Sequence, residues 1–156
     1  NYPWRELCLH YFADRAIGTD AFADNLTALQ MRYRRQVQYA MWNLLGSHDR
    51  PRFLTLCGGD VRRVLLASTF QYTYLGTPYI YYGDEIGMEG DDDPDCRRCM
   101  PWDKQDWDEE LLRHYAGLAR LRRRHSALRR GEFTVLMADR PESPLVYARW
   151  NSRGCS

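Results

Sequence analysis

No run of about 18 apolar residues occurs in this 156-residue chain, so no membrane-spanning helix is expected. Neither sign of charge is in excess: 22 basic against 21 acidic residues leave a formal net charge of +1. That balance gives no electrostatic footprint for nucleic acid or for a membrane surface, and neither is expected as a partner. The first residues, Asn1-Tyr2-Pro3-Trp4, carry no methionine, basic region or apolar secretory core. They read as a cut inside a longer protein. The cysteines, Cys8, Cys57, Cys96, Cys99 and Cys155, are odd in number and irregular in spacing, which argues against a disulfide framework. Free thiols favour a reducing compartment. Cys96-x-x-Cys99 lacks a second Cys or His pair at suitable spacing for zinc. Asp91, Asp93 and Asp95 alternate as in a calcium loop, but Cys96 and Trp102 stand where that loop needs Gly and Glu. No metal and no cofactor are expected. There is no internal repeat, and no low-complexity stretch beyond Gly90-Asp-Asp-Asp93.

What is present suits an ordinary globular protein, one domain by length, with 44% hydrophobic and 28% charged residues. Eleven Tyr and five Trp suit either a tightly packed core or a surface on which sugar rings stack. Residues 5–14 are expected to form a short helix after Pro3. A second is expected over about 20–33, capped by Thr19 or Asp20, with Phe22, Leu26, Leu29 and Tyr33 near helical spacing. An apolar strand is expected over 41–46. Gly58-Gly59-Asp60 then opens a helix of about 60–74, ended by Gly76-Thr77-Pro78. Tyr79-Ile80-Tyr81-Tyr82 reads as a second strand. A Gly- and Asp-rich loop leads to a helix over about 107–125, with acids at its start and arginines at its end, as the helix dipole favours. The basic cluster 120–124 with Arg129 and Arg130 reads as a solvated helix end. Phe133–Met137 and Leu145–Trp150 read as an antiparallel hairpin.

Strands alternating with helices argue for βα units and a parallel sheet. The terminal hairpin departs from that rhythm, which places a domain boundary near Arg130. Two strands cannot close a barrel, so a barrel containing them would be incomplete here.

The most informative segment is Asn43-Leu-Leu-Gly-Ser-His-Asp49, an apolar run that stops at a polar pair. A buried parallel strand reads this way, and in a (β/α)8 barrel the C-terminal strand ends face the active site. His48 and Asp49 delivered there can bond a polar substrate and stabilise positive charge. By itself the pair also fits a polar strand end whose Asp49 caps a helix.

The segment Asn43–Asp49, with Pro51-Arg52-Phe53 after it, resembles the fourth conserved region of the α-amylase superfamily of glycoside hydrolases (glycoside hydrolase family 13). Gly76–Met88 resembles the eighth barrel strand of that family, and Asn1-Tyr2 the end of the sixth. Asp93-Pro-Asp-Cys-Arg-Arg98, with Met100 and Trp102-Asp103, resembles the neopullulanase, cyclomaltodextrinase and maltogenic amylase subgroup. The resemblance implies an α/β fold: the C-terminal part of a (β/α)8 TIM barrel followed by the start of an all-β C-terminal domain. Residues 1–130 would run from the end of strand 6 through helix 8, and 131–156 would begin the β-domain. It implies a retaining mechanism with an Asp nucleophile and a Glu acid/base. Asp49 matches the third carboxylate, which stabilises the transition state, and His48 the adjacent substrate-binding histidine. Asp93 and Arg97 match positions that hold sugar hydroxyls on the donor side, against the alternative of a surface salt bridge. No segment matches the nucleophile or the acid/base. Arg50 departs from the family pattern, which more often has a small polar residue there, and places a larger cation at the acceptor rim.

The implied function is a piece of a retaining α-glucan hydrolase for α-1,4 bonds of cyclodextrins, pullulan or starch oligomers, inactive alone. Its implied partners are α-glucan oligosaccharides and the upstream barrel segment of the parent chain. The subgroup's largely intracellular habit favours the cytoplasm. Unpaired strand edges also leave open homo-oligomerisation, and a non-catalytic carbohydrate-binding or assembly module as the alternative function. Asp84-Glu85 reads as a structural pair at the strand-to-loop turn rather than as active-site acids, and His10, His114 and His125 as ordinary solvated or packing histidines.

Overall fold

In the computed structural model, which describes residues 1–151, the two strands of the sequence-predicted parallel unit lie side by side. Strand β1 (Trp42–Leu44) pairs in parallel with β2 (Thr77–Tyr79), with Trp42 opposite Thr77 and Leu44 opposite Tyr79. A parallel pair needs a crossover, and helix α5 (Val61–Thr73) supplies it. Asp60 caps α5 by accepting from the Arg62 backbone N–H at 3.1 Å. Gln71, buried on α5, donates its amide to the Asn43 carbonyl at 2.8 Å and to that of Tyr79 at 2.9 Å. One side chain thereby ties the helix to both strands.

Upstream of β1, Asn1 caps helix α1 (Tyr2–Cys8), with Pro3 in its first turn, and the chain continues through a π-helical turn over Leu9–Ala13. Helix α2 (Thr19–Met31) buries Phe22, Leu26 and Leu29 as expected, but its cap residue is Gly18, without a side-chain cap bond. Asp20 instead accepts from its neighbour Ala21 N–H at 2.7 Å. Tyr33 lies beyond the helix end. A short helix α3 (Arg35–Ala40), unforeseen in the sequence, buries no residue, so it leaves no apolar stripe to read. Helix α4 (Phe53–Leu56) follows β1, and α6 (Glu109–Arg124) follows β2, capped by Asp108, which accepts from Leu111 N–H at 2.9 Å. A short α7 (Ser126–Arg130) leads into an antiparallel hairpin, β3 (Glu132–Met137) and β4 (Val146–Trp150), with a register shift between Val135 and Met137.

Two further expectations shift. The second strand ends at Tyr79 rather than beginning there: Gly76 at φ 90° turns the chain directly into it, and Gly83 at φ 83° folds Tyr81 and Tyr82 into a turn. Arg122 is only partly solvated. It donates to the carbonyls of Tyr72 (2.8 Å) and Gly76, and burial lowers its pKa to about 10. Arg120, Arg123 and Arg124 remain exposed.

The core is aromatic. Phe70, on α5, contacts the rings of Trp4, Phe12, Phe22, Tyr74, Phe133 and Tyr147 at centroid distances of 5.1 to 6.5 Å. Two of those rings come from the hairpin. On the same side Arg149 donates to the carbonyls of Tyr74 at 2.8 Å and of Ala127 and Gly131 at 2.9 Å, and also to that of Thr73. Phe70→Ala opens a cavity where both halves meet and is expected to cost about 3–5 kcal/mol. Urea denaturation of the variant would show a midpoint close to the parent's if Phe70 were peripheral.

Candidate active site

The chain leaves β1 through Leu45, Gly46 and Ser47, all buried, and surfaces at His48. Ser47 and Arg50 form an isolated antiparallel bridge, so His48 and Asp49 are the tip of a tight turn at the strand's C-terminal end. His48 Nε2 lies 3.0 Å from Asp49 Oδ1, and both side chains are more than half exposed. The Tyr2 hydroxyl donates to Asp49 Oδ2 at 3.1 Å. Arg50 places its guanidinium 5.9 Å from the centre of the Tyr2 ring, at the edge of cation–π range.

Beneath this turn lies a charged centre. Arg52 is fully buried and pairs with Asp84 Oδ1 at 3.0 Å. It also donates to the carbonyls of Cys96 (3.0 Å) and Tyr82, and its guanidinium carbon sits 4.2 and 4.6 Å from the ring centres of Tyr81 and Tyr82. Burial pushes the Asp84 carboxyl up to about 6, against the opposing pull of Arg52. The other oxygen of Asp84 packs on Gly46, where a methyl group would collide with it. The glycine of the strand-end motif is therefore required by close approach. Asp84 fills the structural role expected of it.

The loop after β2 is tied to the same centre. Arg52 N–H donates to the Gly90 carbonyl at 2.8 Å, Gly90 N–H to Thr55 Oγ1 at 2.9 Å, and Cys96 Sγ to the His48 carbonyl at 3.3 Å. The loop carries Asp93 and Arg97, about half exposed, which form an ion pair one helical turn apart. Among the described residues no hydrogen bond or ion pair joins them to His48 or Asp49. The structure thus brings His48 and Asp49 together, and places Asp93 and Arg97 on a loop anchored to the same turn through Cys96. Asp95 is occupied by Arg98 (2.7 and 2.6 Å) and by the Asp91 N–H (2.8 Å). Among the described residues no cluster of three or more His, Cys, Asp or Glu is placed to hold a metal ion. Cys8, Cys57, Cys96 and Cys99 carry free thiols; Cys155 lies outside the described residues.

The family model "Alpha amylase, catalytic domain" matches residues 1–108. The cyclomaltodextrinase of Geobacillus thermopakistaniensis is 50% identical over 149 residues, which are 96% of this chain and 25% of that protein. Neopullulanase 2 of Thermoactinomyces vulgaris is 46% identical over 149 residues, 96% of this chain and 26% of that protein. A solved cyclomaltodextrinase superposes with a TM-score of 0.93 at 42% identity, over 97% of this chain and 26% of its own. The cyclic alpha-maltosyl-(1→6)-maltose hydrolase of Arthrobacter globiformis superposes with a TM-score of 0.86 at 40% identity, over 90% of this chain and 32% of its own. The chain spans about a quarter of the length of the Geobacillus and Thermoactinomyces relatives.

Proposed function

The chain belongs to the alpha-amylase family, and from that premise we propose that it is the C-terminal part of the catalytic barrel of a retaining α-glucan hydrolase. Its fold is that of the last βα units of a (β/α)8 barrel with the start of a β-domain behind them. Residues 1–130 are assigned to the barrel and 131–156 to the β-domain; residues 152–156 lie outside the described part. The substrates proposed are cyclodextrins, pullulan or starch oligomers, cleaved at α-1,4 bonds. The observation that carries this reading is Asp49, held at the C-terminal end of a parallel strand with His48 against one oxygen and Tyr2 against the other.

In this reading Asp49 is the carboxylate that grips sugar hydroxyls more tightly as the ring flattens towards an oxocarbenium ion. His48 adds a hydrogen bond to the same sugar, while Asp93 and Arg97 hold the donor side. The covalent nucleophile and the general acid belong to the upstream barrel strands, which are the chain's first partner. The exposed apolar side chains Trp42, Ile80 and Tyr82, on and just after the strand pair, fit that partnership. They also support a second reading, in which the chain alone acts as an assembly or carbohydrate-binding module. Without nucleophile and acid, catalysis loses many orders of magnitude. The purified 156-residue chain is therefore expected to release no reducing sugar from β-cyclodextrin or pullulan. Turnover that Asp49→Asn abolishes would show that the chain, or an assembly of it, supplies those groups.

A further inference from the structure

We infer that Tyr2 is a positioning residue for Asp49: its hydroxyl fixes the carboxylate in the orientation that meets the substrate. This rests on the active-site reading of Asp49 and adds to it a role for a residue 47 positions away.

The contact is built rather than incidental. Several hydrogen bonds join the segment carrying Tyr2 to strand β1 and the turn after it. Asn1 donates its side-chain amide to Asn43 Oδ1 at 2.8 Å, and Arg5 Nε donates to the Leu45 carbonyl at 2.8 Å, a buried bond. Trp4, fully buried, stacks on Phe70 and holds α1 from the other side. The Tyr2 ring therefore has little freedom to leave the turn. Around its hydroxyl the hydrogen bonds close on themselves. Tyr2 gives its proton to Asp49 Oδ2, Ser47 Oγ lies 3.3 Å from the Tyr2 oxygen as a donor to it, and Ser47 Oγ accepts from Asp49 N–H at 3.3 Å.

A carboxylate offers about four acceptor positions, two on each oxygen. Tyr2 takes one on Oδ2, and His48 Nε2 stands 3.0 Å from Oδ1. At least one position on each oxygen is left, which suits two adjacent hydroxyls of one sugar. Without Tyr2 the carboxylate can rotate about its bond to Cβ, and the pair of free positions no longer faces the sugar as a unit. The loss falls on the transition state, where those bonds are strongest.

The test uses the full-length parent enzyme. Tyr2→Phe keeps the ring and removes only the hydroxyl. It is expected to lower kcat on β-cyclodextrin roughly 10-fold, as for a hydrogen bond to a half-exposed charge, with KM within about 2-fold and thermal stability unchanged. Because the effect passes through Asp49, Tyr2→Phe added to Asp49→Asn should cost no further activity. Tyr2→Phe with parental kcat would overturn the inference. So would an equal loss in the Asp49→Asn background, or a rise in KM alone, which would make the ring a sugar platform instead. Parental kcat in Asp49→Asn itself would sink the functional reading, and that outcome is read separately from the Tyr2 result.

Discussion

Asp49→Asn, introduced into the full-length enzyme, is expected to lower kcat by roughly 10³-fold or more while leaving the protein folded. The change is isosteric, and the side chain is 55% exposed, so little packing is at stake. On the proposed reading, what disappears is a negative charge beside a sugar ring that becomes positive in the transition state. Substrate binding should suffer much less than turnover, because an amide still bonds hydroxyls in the ground state. Turnover of β-cyclodextrin measured alongside thermal unfolding separates the two effects. An Asn variant that turns over at the parental rate would reduce Asp49 to a polar strand end.

Arg52→Ala acts through stability instead, and its cost should depend on pH. The fully buried guanidinium is the partner of Asp84 and holds three segments: the turn after β1, the turn after β2 and the loop through Cys96. Removing one member of a buried ion pair typically costs about 3–5 kcal/mol, mostly because the other charge stays buried alone. The sign follows from Asp84. Its folded pKa is raised from 3.8 to about 6, so the folded protein keeps a proton that the unfolded chain has already released. The stability contributed by that proton is fully present below about 3.8 and is lost as pH rises through about 6. Arg52 opposes the shift, so its removal moves this window upward. The penalty of Arg52→Ala should therefore be larger at pH 8, where Asp84 must ionise unpaired, than at pH 5, where it stays neutral. Denaturation midpoints at the two pH values decide it. A penalty equal at both would mean that Arg52 contributes only packing and its bonds to carbonyls.

Much of this is legible in the chain itself, for identifiable reasons. His48 and Asp49 are adjacent, so the motif that carries them is local, and the exit from strand β1 brings both to the same turn. Helices α5 and α6 announce themselves through Asp60 and Asp108 at their starts and through apolar spacing. What sequence does not reveal depends on distance along the chain. Tyr2 reaches Asp49 across 47 residues and Arg52 reaches Asp84 across 32, and no periodicity encodes either contact. A run of arginines looks solvated until one of them, Arg122, finds the open carbonyls at the end of a neighbouring helix. The second strand reads too late in the chain because Tyr79–Tyr82 is the more apolar stretch, whereas the paired residues include Pro78 and are set by the turn at Gly76. The closeness of Gly46 to Asp84 gives that glycine of the motif a physical reason, which pattern alone does not supply.

The grip of Arg149 on the end of α5 also bears on how such proteins can recombine. A chain cut after Arg130 would strand the carbonyls of Thr73 and Tyr74, which receive their donors from the second strand of the hairpin. The proposed seam between barrel and β-domain is therefore not a free crossover point. A β-domain grafted from a relative can be accepted there only if it brings a long cationic side chain to the place of Arg149, so the two halves are expected to be inherited together.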